Sequence, residues 1–197
     1  MYKRLLDIIV GCIGSCITLA MYPFVALAIK LDSPGPVFFY QTRIGKNGRH
    51  FSIIKFRTMV QDAEARLAAL QDENIMNGQM FKMERDPRVT RVGSFLRRTS
   101  LDEFPQFFNV LAGEMSVVGT RPPTPDEVKG YEIWHRRRIS MKPGVTGLWQ
   151  ISGRNNVTDF NQVVRLDLQY MDHWRFTRDL YIIWKTLWVV LTGRGAV

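Results

Sequence analysis

Two adjacent acidic residues, Asp102 and Glu103, lie in the stretch "RRTSLDEFPQFFN" (97–109), behind two arginines and ahead of Pro105. Adjacent side chains do not share a helix face, so the pair is not an i,i+4 surface ion-pair pattern. A helix that starts near Asp102 places Pro105 in its first turn, where proline is tolerated. Asp102 is then ionised at the positive end of the helix dipole and close to Arg97. A carboxylate in this setting suits either phosphate chemistry or a structural helix cap.

A capping box is the structural alternative for the same residues. Ser100 and Glu103 match the pattern S-x-x-E, in which the glutamate reaches back to the cap residue. With Ser100 as the cap, however, Pro105 would lie in the helix where its missing N–H is normally required. We therefore predict a helix over about 102–112. Both interpretations of the acids stay open at this point, because short motifs match by chance.

Basic and amide side chains supply the candidate partners of these acids. Arg121 lies in the proline-flanked loop "VVGTRPPTP", which could present a fixed guanidinium fork to a phosphate or serve as a plain connector. Lys55 and Arg57 in "KFRTM" are expected on one face of a strand, as in an anion site or a solvated face. Gln150 and Arg154, among the turn residues of "PGVTGLWQISGRN", are a weak signal by themselves.

Several common catalytic signatures do not occur in the sequence. It has no Walker loop and no G-x-G-x-x-G, H-E-x-x-H or G-x-S-x-G motif. The three histidines are scattered, which argues against a histidine-based triad or a zinc site. Cys12 and Cys16 lie four apart in an apolar run with no further ligand nearby, so a disulfide framework is not indicated.

The charge balance narrows the class of partner without choosing one. The chain has 27 Lys and Arg against 18 Asp and Glu, a formal net charge of +9 over 197 residues. This surplus suits a polyanion such as nucleic acid, an anionic membrane surface or a phosphorylated substrate. A generally basic membrane-associated domain is the simpler alternative.

Residues 8–29 contain no charged side chain and would form a helix about 33 Å long, enough to span a bilayer. A cleaved signal peptide, a spanning helix and a re-entrant helix hairpin all fit this pattern. Pro23 predicts a break or kink, because proline lacks an N–H and clashes with the preceding turn. Lys3, Arg4 and Lys30 place cations on both flanks, as expected if both face the cytoplasm. We favour a membrane anchor and leave span and hairpin open.

The remaining sequence predicts an α+β domain without repeats or a second-domain linker. Two β-rich runs (37–44 and 51–59) flank the hairpin-turn signal Lys46-Asn47-Gly48. The stretch "RDPRVT" is expected to be a turn that leads into a short strand. Residues 141–156 are expected to form an ordered loop or short strands. Further helices are predicted over 60–73, 125–139, 158–174 with Thr158 or Asp159 as cap, and from about 178 to Gly193.

The last of these helices has apolar residues at helical spacing, including Tyr181, Trp184 and Trp188. A stripe of this kind usually packs into a core. Beside a membrane anchor, its aromatic residues also suit an amphipathic helix that lies at the membrane interface. Both interpretations stay open.

Several segments, taken together and in their order along the chain, indicate a protein family far more specifically than any one of them does. With these segments the chain resembles the bacterial sugar transferases, that is, the polyprenyl-phosphate hexose-1-phosphate transferases or monotopic phosphoglycosyl transferases. The similarity covers essentially the whole chain, and the S-L-D-E-[FL]-P-Q block with G-x-R-P is distinctive. The matching segments are "KRLLDI", "SPGPVFFYQTRIG", "KFRTM", "LRRTSLDEFPQFFNVLAGEMSVVGTRPP", "KPGVTGLWQISGRN" and "DLQYM".

The resemblance implies an enzyme on the cytoplasmic face of the bacterial inner membrane. Residues 1–30 would form the membrane-inserted re-entrant helix, and residues 31–197 the phosphoglycosyl transferase catalytic domain. The enzyme would transfer a hexose-1-phosphate, from UDP-glucose or UDP-galactose, to polyprenyl (undecaprenyl) phosphate with Mg²⁺ and release UMP. This would be the first membrane step of exopolysaccharide, capsule or O-antigen lipopolysaccharide synthesis. Nucleic acid is not an expected partner, and homo-oligomerisation stays open.

The resemblance also assigns roles to residues, and under it Gln150 and Arg154 are candidates for contacts to the nucleotide sugar. Asp102 and Glu103 match the catalytic acidic dyad and candidate metal ligands, while Arg97 and Arg121 match phosphate-contacting arginines. We expect Asp102 to be a covalent nucleophile, with Glu103 acting through the metal or on a proton. One departure concerns Pro23, which often follows a serine in this family but here follows a tyrosine, so the geometry of the hairpin is in question.

Two other function classes remain as alternatives. A non-enzymatic membrane-anchored module that binds anionic lipids would tolerate loss of Asp102. A nucleic-acid-binding domain would show steeply salt-dependent affinity and would not need the apolar segment. Longer members of the family carry spanning helices and an extra domain upstream, so we expect either a short member or the catalytic part of a longer protein.

Overall fold

A long N-terminal helix, a β-hairpin, a small parallel sheet and a set of short helices make up this α+β fold. The computed structural model describes residues 2–83, 85–153 and 157–192. The first half comprises α1 (Tyr2–Asp32), β1 (Phe38–Ile44), β2 (His50–Phe56), α2 (Ala63–Leu67), α3 (Arg91–Arg98) and α4 (Gln106–Ala112). The second half comprises β3 (Ser116–Val118), α5 (Pro125–Lys129), α6 (Ile133–Arg136), β4 (Gly144–Thr146), α7 (Leu148–Ile151), α8 (Phe160–Asp172) and α9 (Phe176–Thr192).

Among the described residues, α1 is the one helix that is long and apolar enough to cross a membrane. It has 31 residues, and its most apolar 18-residue window has a mean hydropathy of 2.0 and is 22% buried. The helix continues through Pro23, so the expected interruption is not confirmed. Thr18 on one side of Pro23 donates to the backbone oxygen of Phe104 (3.2 Å), and Ile29 on the other side is buried. Contacts on both sides of the proline thus support the helical path.

Both ends of α1 and its middle contact the globular part of the chain. Near the start, Lys3 donates from Nζ to Oδ2 of Asp179 in α9 (2.8 Å). At the end, Oδ2 of Asp32 accepts a backbone N–H of α3 (3.0 Å). In the middle, a Cβ on Gly14 would overlap the ring of Phe107 in α4, so the absent side chain permits close packing. The helix therefore lies along the globular part over most of its length.

Strands β1 and β2 form the predicted antiparallel hairpin, in a register that pairs Phe38 with Phe56 and Ile44 with His50. Asn47 in the connecting turn has φ 57°, a left-handed conformation that asparagine tolerates better than most residues. The hairpin prediction is confirmed.

One face of this hairpin is turned into the protein. Successive side chains of a strand alternate between faces, and cross-strand partners share a face. Phe51 and Ile53 are 8% and 2% exposed and join the core around Val110, whereas Tyr40 on the opposite face is 59% exposed. The inward face also carries three polar residues, Gln41, Arg43 and Lys55.

Strands β3 and β4 pair in parallel, with Ser116 opposite Gly144 and Val118 opposite Thr146. All three residues of β3 are buried. Gly119 and Gly144 allow the two backbones to approach so closely that a Cβ on either residue would overlap the other segment. An ordered loop or short strands were expected in residues 141–156; β4 confirms one strand, whereas helix α7 was not expected.

Helix α3 was not predicted from the sequence, and the short strand expected after "RDPRVT" is wrong. Thr90 instead caps the helix, since its Oγ1 accepts the N–H of Gly93 (3.0 Å). A Cβ on Gly93 would overlap the backbone oxygen of Thr58, so α3 packs directly on the segment that follows β2. This tertiary contact supports a short helix, three of whose eight residues are arginines.

The other helix predictions are right in type and differ in extent. The prediction over 60–73 is met by α2 followed by a 3₁₀ turn, Ala68–Glu73. The prediction over 125–139 is divided at Gly130 into α5 and α6. Asp159 caps α8 as predicted, because its Oδ1 accepts the N–H of Asn161 (3.0 Å). In α9, Ile182 is buried, while an apolar row stays exposed: Leu180, Tyr181, Trp184, Leu187, Trp188 and Leu191.

Candidate active site

Asp102 and Glu103 form part of a 3₁₀ turn, Leu101–Glu103, between α3 and α4. Ser100 before this turn has φ 56° and its side chain makes no capping bond, so the capping-box interpretation is wrong. Pro105 precedes α4 as its N-cap residue. Asp102 is 7% exposed, whereas the side chain of Glu103 is 30% exposed. The two neighbouring carboxylates thus occupy different environments.

Arg97, at the end of α3, lies beside Asp102. Its Nε donates to Oγ1 of Thr58 (3.0 Å), and the backbone oxygen of Thr58 in turn accepts the N–H of Thr90 (3.0 Å). Burial lowers the pKa of Arg97, and the carboxylate of Asp102 is the strongest of the charges that oppose this decrease. Arg97 therefore supplies a positive charge, fixed in position by Thr58, next to the buried acid.

Lys55 on β2 reaches the second acid of the pair. Its Nζ donates to Oε1 of Glu103 (3.0 Å), and both side chains are partly exposed, at 25% and 30%. The turn therefore combines two carboxylates with two cations, one from α3 and one from β2.

Asn109 in α4 joins this helix to β2. Its Oδ1 accepts the N–H of Ile54 (3.1 Å), and its Nδ2 donates to the backbone oxygen of Ser52 (2.8 Å). Nδ2 also lies 2.7 Å from Oε2 of Glu114. Because Lys55 directly follows Ile54, these bonds set the position from which Lys55 reaches Glu103.

Arg121 binds a carboxylate of this chain with both arms of its guanidinium. Nη1 and Nη2 donate to Oε2 and Oε1 of Glu127 at 2.8 and 3.1 Å. Burial alone would raise the pKa of Glu127, but Arg121 and its hydrogen bonds lower it below the ordinary value. Nη1 of Arg43 lies 3.9 Å from Oε1 of Glu127, and the charges of Glu127 and Glu103 both oppose the decrease that burial causes in the pKa of Arg43.

Arg57 is held by the segment that follows α1. The guanidinium of Arg57 donates to the backbone oxygens of Ser33 (2.8 Å) and Pro34, so Lys55 and Arg57 meet different partners. Gln150 is partly buried, and its Oε1 has no hydrogen-bond partner among the described residues. Arg154 lies outside the described residues. The roles assigned to these side chains stay predictions.

Comparison with known proteins identifies the family. A family model described as bacterial sugar transferase matches residues 1–193. This chain belongs to the bacterial sugar transferase family. The acidic turn, the hairpin and α1 all lie inside the matched region.

Three relatives of this bacterial sugar transferase illustrate the match. The galactosyl transferase CpsE of Streptococcus agalactiae serotype III is 53% identical over 194 residues, which cover 98% of this chain and 43% of that protein. The exopolysaccharide production protein ExoY of Rhizobium meliloti is 37% identical over 203 residues, 100% of this chain and 88% of ExoY. The UDP-glucose:undecaprenyl-phosphate glucose-1-phosphate transferase of Escherichia coli is 37% identical over 205 residues, 98% of this chain and 41% of that protein. The chain thus spans less than half of the first and third relatives.

Mg²⁺ is the metal ion that the resemblance implies at this turn. Within the described ranges, no group of three or more His, Cys, Asp or Glu side chains is placed to hold a metal ion. Mg²⁺ is usually held by one or two carboxylates together with waters and substrate phosphates, and dedicated protein cages are uncommon. Asp102 and Glu103 fit such a shared site in this bacterial sugar transferase.

Reasoning from the sequence missed three polar residues of the site. Thr58, which orients Arg97, lies in the quoted "KFRTM" segment, and Arg43 lies in "QTRIG". Both segments were recognised without a role for these residues. Glu127 follows Arg121 by six positions in a separate helix, and no local pattern in the sequence predicts that they pair.

Proposed function

We propose that this bacterial sugar transferase transfers a hexose-1-phosphate from a UDP-sugar to polyprenyl phosphate and releases UMP. The named activity of the Escherichia coli relative and that of the undecaprenyl-phosphate galactose phosphotransferase of Salmonella typhimurium support this reaction and favour glucose or galactose. The observation that carries the proposal is the 3₁₀ turn Leu101–Glu103, named the catalytic turn from here on. It holds a buried carboxylate, Asp102, beside Arg97, and a second carboxylate, Glu103, beside Lys55.

The proposed reaction has two displacements at one phosphorus atom. An oxygen of the Asp102 carboxylate attacks the sugar-bearing phosphorus of the UDP-sugar, and the bond from this phosphorus to the bridging oxygen breaks. UMP leaves with that oxygen, and an acyl phosphosugar remains on Asp102. An oxygen of polyprenyl phosphate then attacks the same phosphorus, the bond to Asp102 breaks, and the polyprenyl diphosphosugar leaves. Because the substrates arrive from water and from the bilayer, two steps avoid the need to bind both together.

The side chains around the turn fit the charge that these steps handle. Phosphoryl transfer depends mainly on positioning and on neutralising negative charge. Arg97 and Arg121 would bind phosphate oxygens, and Lys55 would orient Glu103. Asp102 and Glu103 would hold Mg²⁺ together with the donor diphosphate, and the bound ion would neutralise charge on the diphosphate. Glu103 assists through the metal or by taking a proton.

We also propose that α1 enters and leaves the membrane on one face, the cytoplasmic face of the inner membrane. A straight 31-residue helix is about 46 Å long, which exceeds the thickness of the hydrocarbon core of a bilayer. If α1 spanned the membrane, one of its ends would lie on the opposite side from the globular part. Here Lys3 contacts α9 and Asp32 contacts α3, so both ends lie on the same globular part. Tyr22, in the place where serine is frequent, stacks on Phe38 at 5.5 Å and offers another way to hold the helix near Pro23. Residues 31–197 would then form the catalytic domain.

The covalent intermediate is tested without the lipid acceptor. With a UDP-sugar and Mg²⁺ alone, the purified chain should release UMP in a burst of up to one per active site and become heavier by one phosphosugar. Asp102→Asn should abolish both the burst and the adduct. Asp126→Asn is the matched control, because Asp126 is exposed in α5 and pairs only with Lys129 among described partners.

Direct transfer predicts a different result, since UMP would appear only after polyprenyl phosphate is added. An adduct that forms normally in Asp102→Asn would place the nucleophile elsewhere. Absence of UMP release from the wild type with a panel of UDP-sugars and lipid acceptor would refute the proposed activity itself.

A further inference from the structure

Arg43 is a cation on the inward face of β1. Its cross-strand partner is Phe51, which is 8% exposed and belongs to the core. The side chain of Arg43 is itself only 14% exposed. Placing a charge inside a protein is unfavourable unless the charge is paired or serves another purpose, so the partners of Arg43 decide what it does.

The contacts within the chain leave Arg43 incompletely satisfied. Nη1 donates to the backbone oxygen of Pro122 (3.1 Å), and Nη2 donates to Oε1 of Gln41 (2.5 Å). Its Nε is buried and has no hydrogen-bond partner among the residues that the structure describes. The nearest carboxylate contact, to Oε1 of Glu127, is 3.9 Å long.

Glu127 cannot fully compensate Arg43, because Arg121 already binds both of its oxygens at 2.8 and 3.1 Å. Two guanidinium groups thus share one buried carboxylate. Burial, followed by the charge of Arg121, lowers the pKa of Arg43 to about 10, so Arg43 stays charged at neutral pH. The cluster therefore has a net positive charge and lacks an acceptor for one buried N–H.

A phosphoryl group has the chemistry that this cluster lacks. Its oxygens accept charge-assisted hydrogen bonds from arginine, and its negative charge would balance the second guanidinium. Arg43 also lies on the same inward face of the hairpin as Lys55, which donates to Glu103 of the turn (3.0 Å). The cluster is therefore next to the place where the proposed reaction handles phosphates.

We propose that Arg43 is a further phosphate-binding residue, which together with Arg121 forms an anion subsite beside the Asp102–Glu103 turn. This inference rests on the proposed function and deepens it. The ligand is a phosphoryl group, supplied either by the diphosphate of the UDP-sugar or by the head of polyprenyl phosphate. The competing interpretation is that Arg43 only links β1 to the 121–123 loop.

The experiment compares Arg43→Gln and Arg43→Lys with Arg49→Gln, a control in the exposed turn of the same hairpin. Each purified full chain is assayed for UDP affinity by titration calorimetry and for the KM values of UDP-sugar and polyprenyl phosphate. Loss of one charge-assisted contact should weaken phosphate binding about tenfold or more in Arg43→Gln. Arg43→Lys should recover part of this loss, and Arg49→Gln should match the wild type.

The substrate whose affinity falls identifies the source of the phosphate. A decrease in UDP affinity with a raised KM for UDP-sugar assigns the donor diphosphate, whereas a raised KM for the lipid alone assigns the acceptor. A folded Arg43→Gln protein with all three values within twofold of the wild type overturns the inference. If Arg43→Gln loses its thermal unfolding transition, Arg43→Lys decides, and unchanged affinities in that variant also overturn it.

The same data separate this inference from the proposed function. If the wild type releases no UMP, the proposed function fails. Binding of UDP or inorganic pyrophosphate to the wild type and to Arg43→Gln then still decides whether Arg43 binds phosphoryl groups.

Discussion

Replacing Asn109 by alanine should both destabilise the protein and disturb the catalytic turn. Asn109 is 2% exposed and joins α4 to β2 through Ile54 and Ser52, with a further bond to Glu114. A bond between neutral groups contributes about 0.5–1.5 kcal/mol and one to a charged group about 1.5–3 kcal/mol. For two bonds of the first kind and one of the second, we expect a loss of about 3–5 kcal/mol in the free energy of unfolding.

The assay is thermal unfolding of the detergent-solubilised chain combined with UMP release. For a protein of this size, each kcal/mol corresponds to about 2–4 °C, so the unfolding temperature should fall by roughly 10 °C. Turnover should also be lower than in the wild type at assay temperatures where the variant is still folded. The reason is that Lys55 follows Ile54 and would no longer be held opposite Glu103.

Asn74→Ala is a matched control. Asn74 also makes three side-chain hydrogen bonds, but their partners are Met76, Met80 and Lys82 in its own loop. Asn74→Ala should lose stability, but the turnover of its folded form should change less than that of folded Asn109→Ala. If the free energy of unfolding of Asn109→Ala decreases by less than about 1 kcal/mol, the side-chain hydrogen bonds of Asn109 do not hold the hairpin against α4. Equal turnover in the two folded variants would refute the link to Lys55.

Two further predictions concern phosphate binding and topology. Arg121→Lys should lose most of its kcat/KM for UMP release. An ammonium group can reproduce neither the bidentate contact with Glu127 nor a planar guanidinium fork for phosphate. Near-normal turnover would contradict the role of Arg121. A cysteine introduced at Tyr2, after replacement of Cys12 and Cys16, should resist a membrane-impermeant thiol reagent in intact cells, because the proposed arrangement places the start of α1 on the cytoplasmic side. Efficient labelling would refute the re-entrant arrangement.

Features that depend on local chemistry could be predicted from the sequence. The turn at Asn47 and the alternation of β-forming residues predicted the hairpin, and Asp159 predicted the start of α8. The uncharged run from residue 8 to 29 predicted an apolar helix at the N-terminus. Propensity, turn geometry and capping act over a few residues, so they can be recognised without knowledge of the fold.

Tertiary packing decided the extent of several elements. α3 is short and charged, and it packs where Gly93 meets the backbone of Thr58, a contact between segments 35 positions apart in the sequence. The continuity of α1 through Pro23 likewise accompanies contacts with the globular part on both sides of the proline. Local propensity is a weak guide where such contacts outweigh it.

For the site, the sequence located the acids, and the tertiary structure decided their environments and partners. Asp102 and Glu103 were recognised as a pair, yet one is buried beside Arg97 and the other pairs with Lys55, 48 positions away. The inward direction of Arg43 depends on which face of the hairpin packs on the core. Charges interact through space, so their pairing follows from packing and cannot be derived from spacing along the chain.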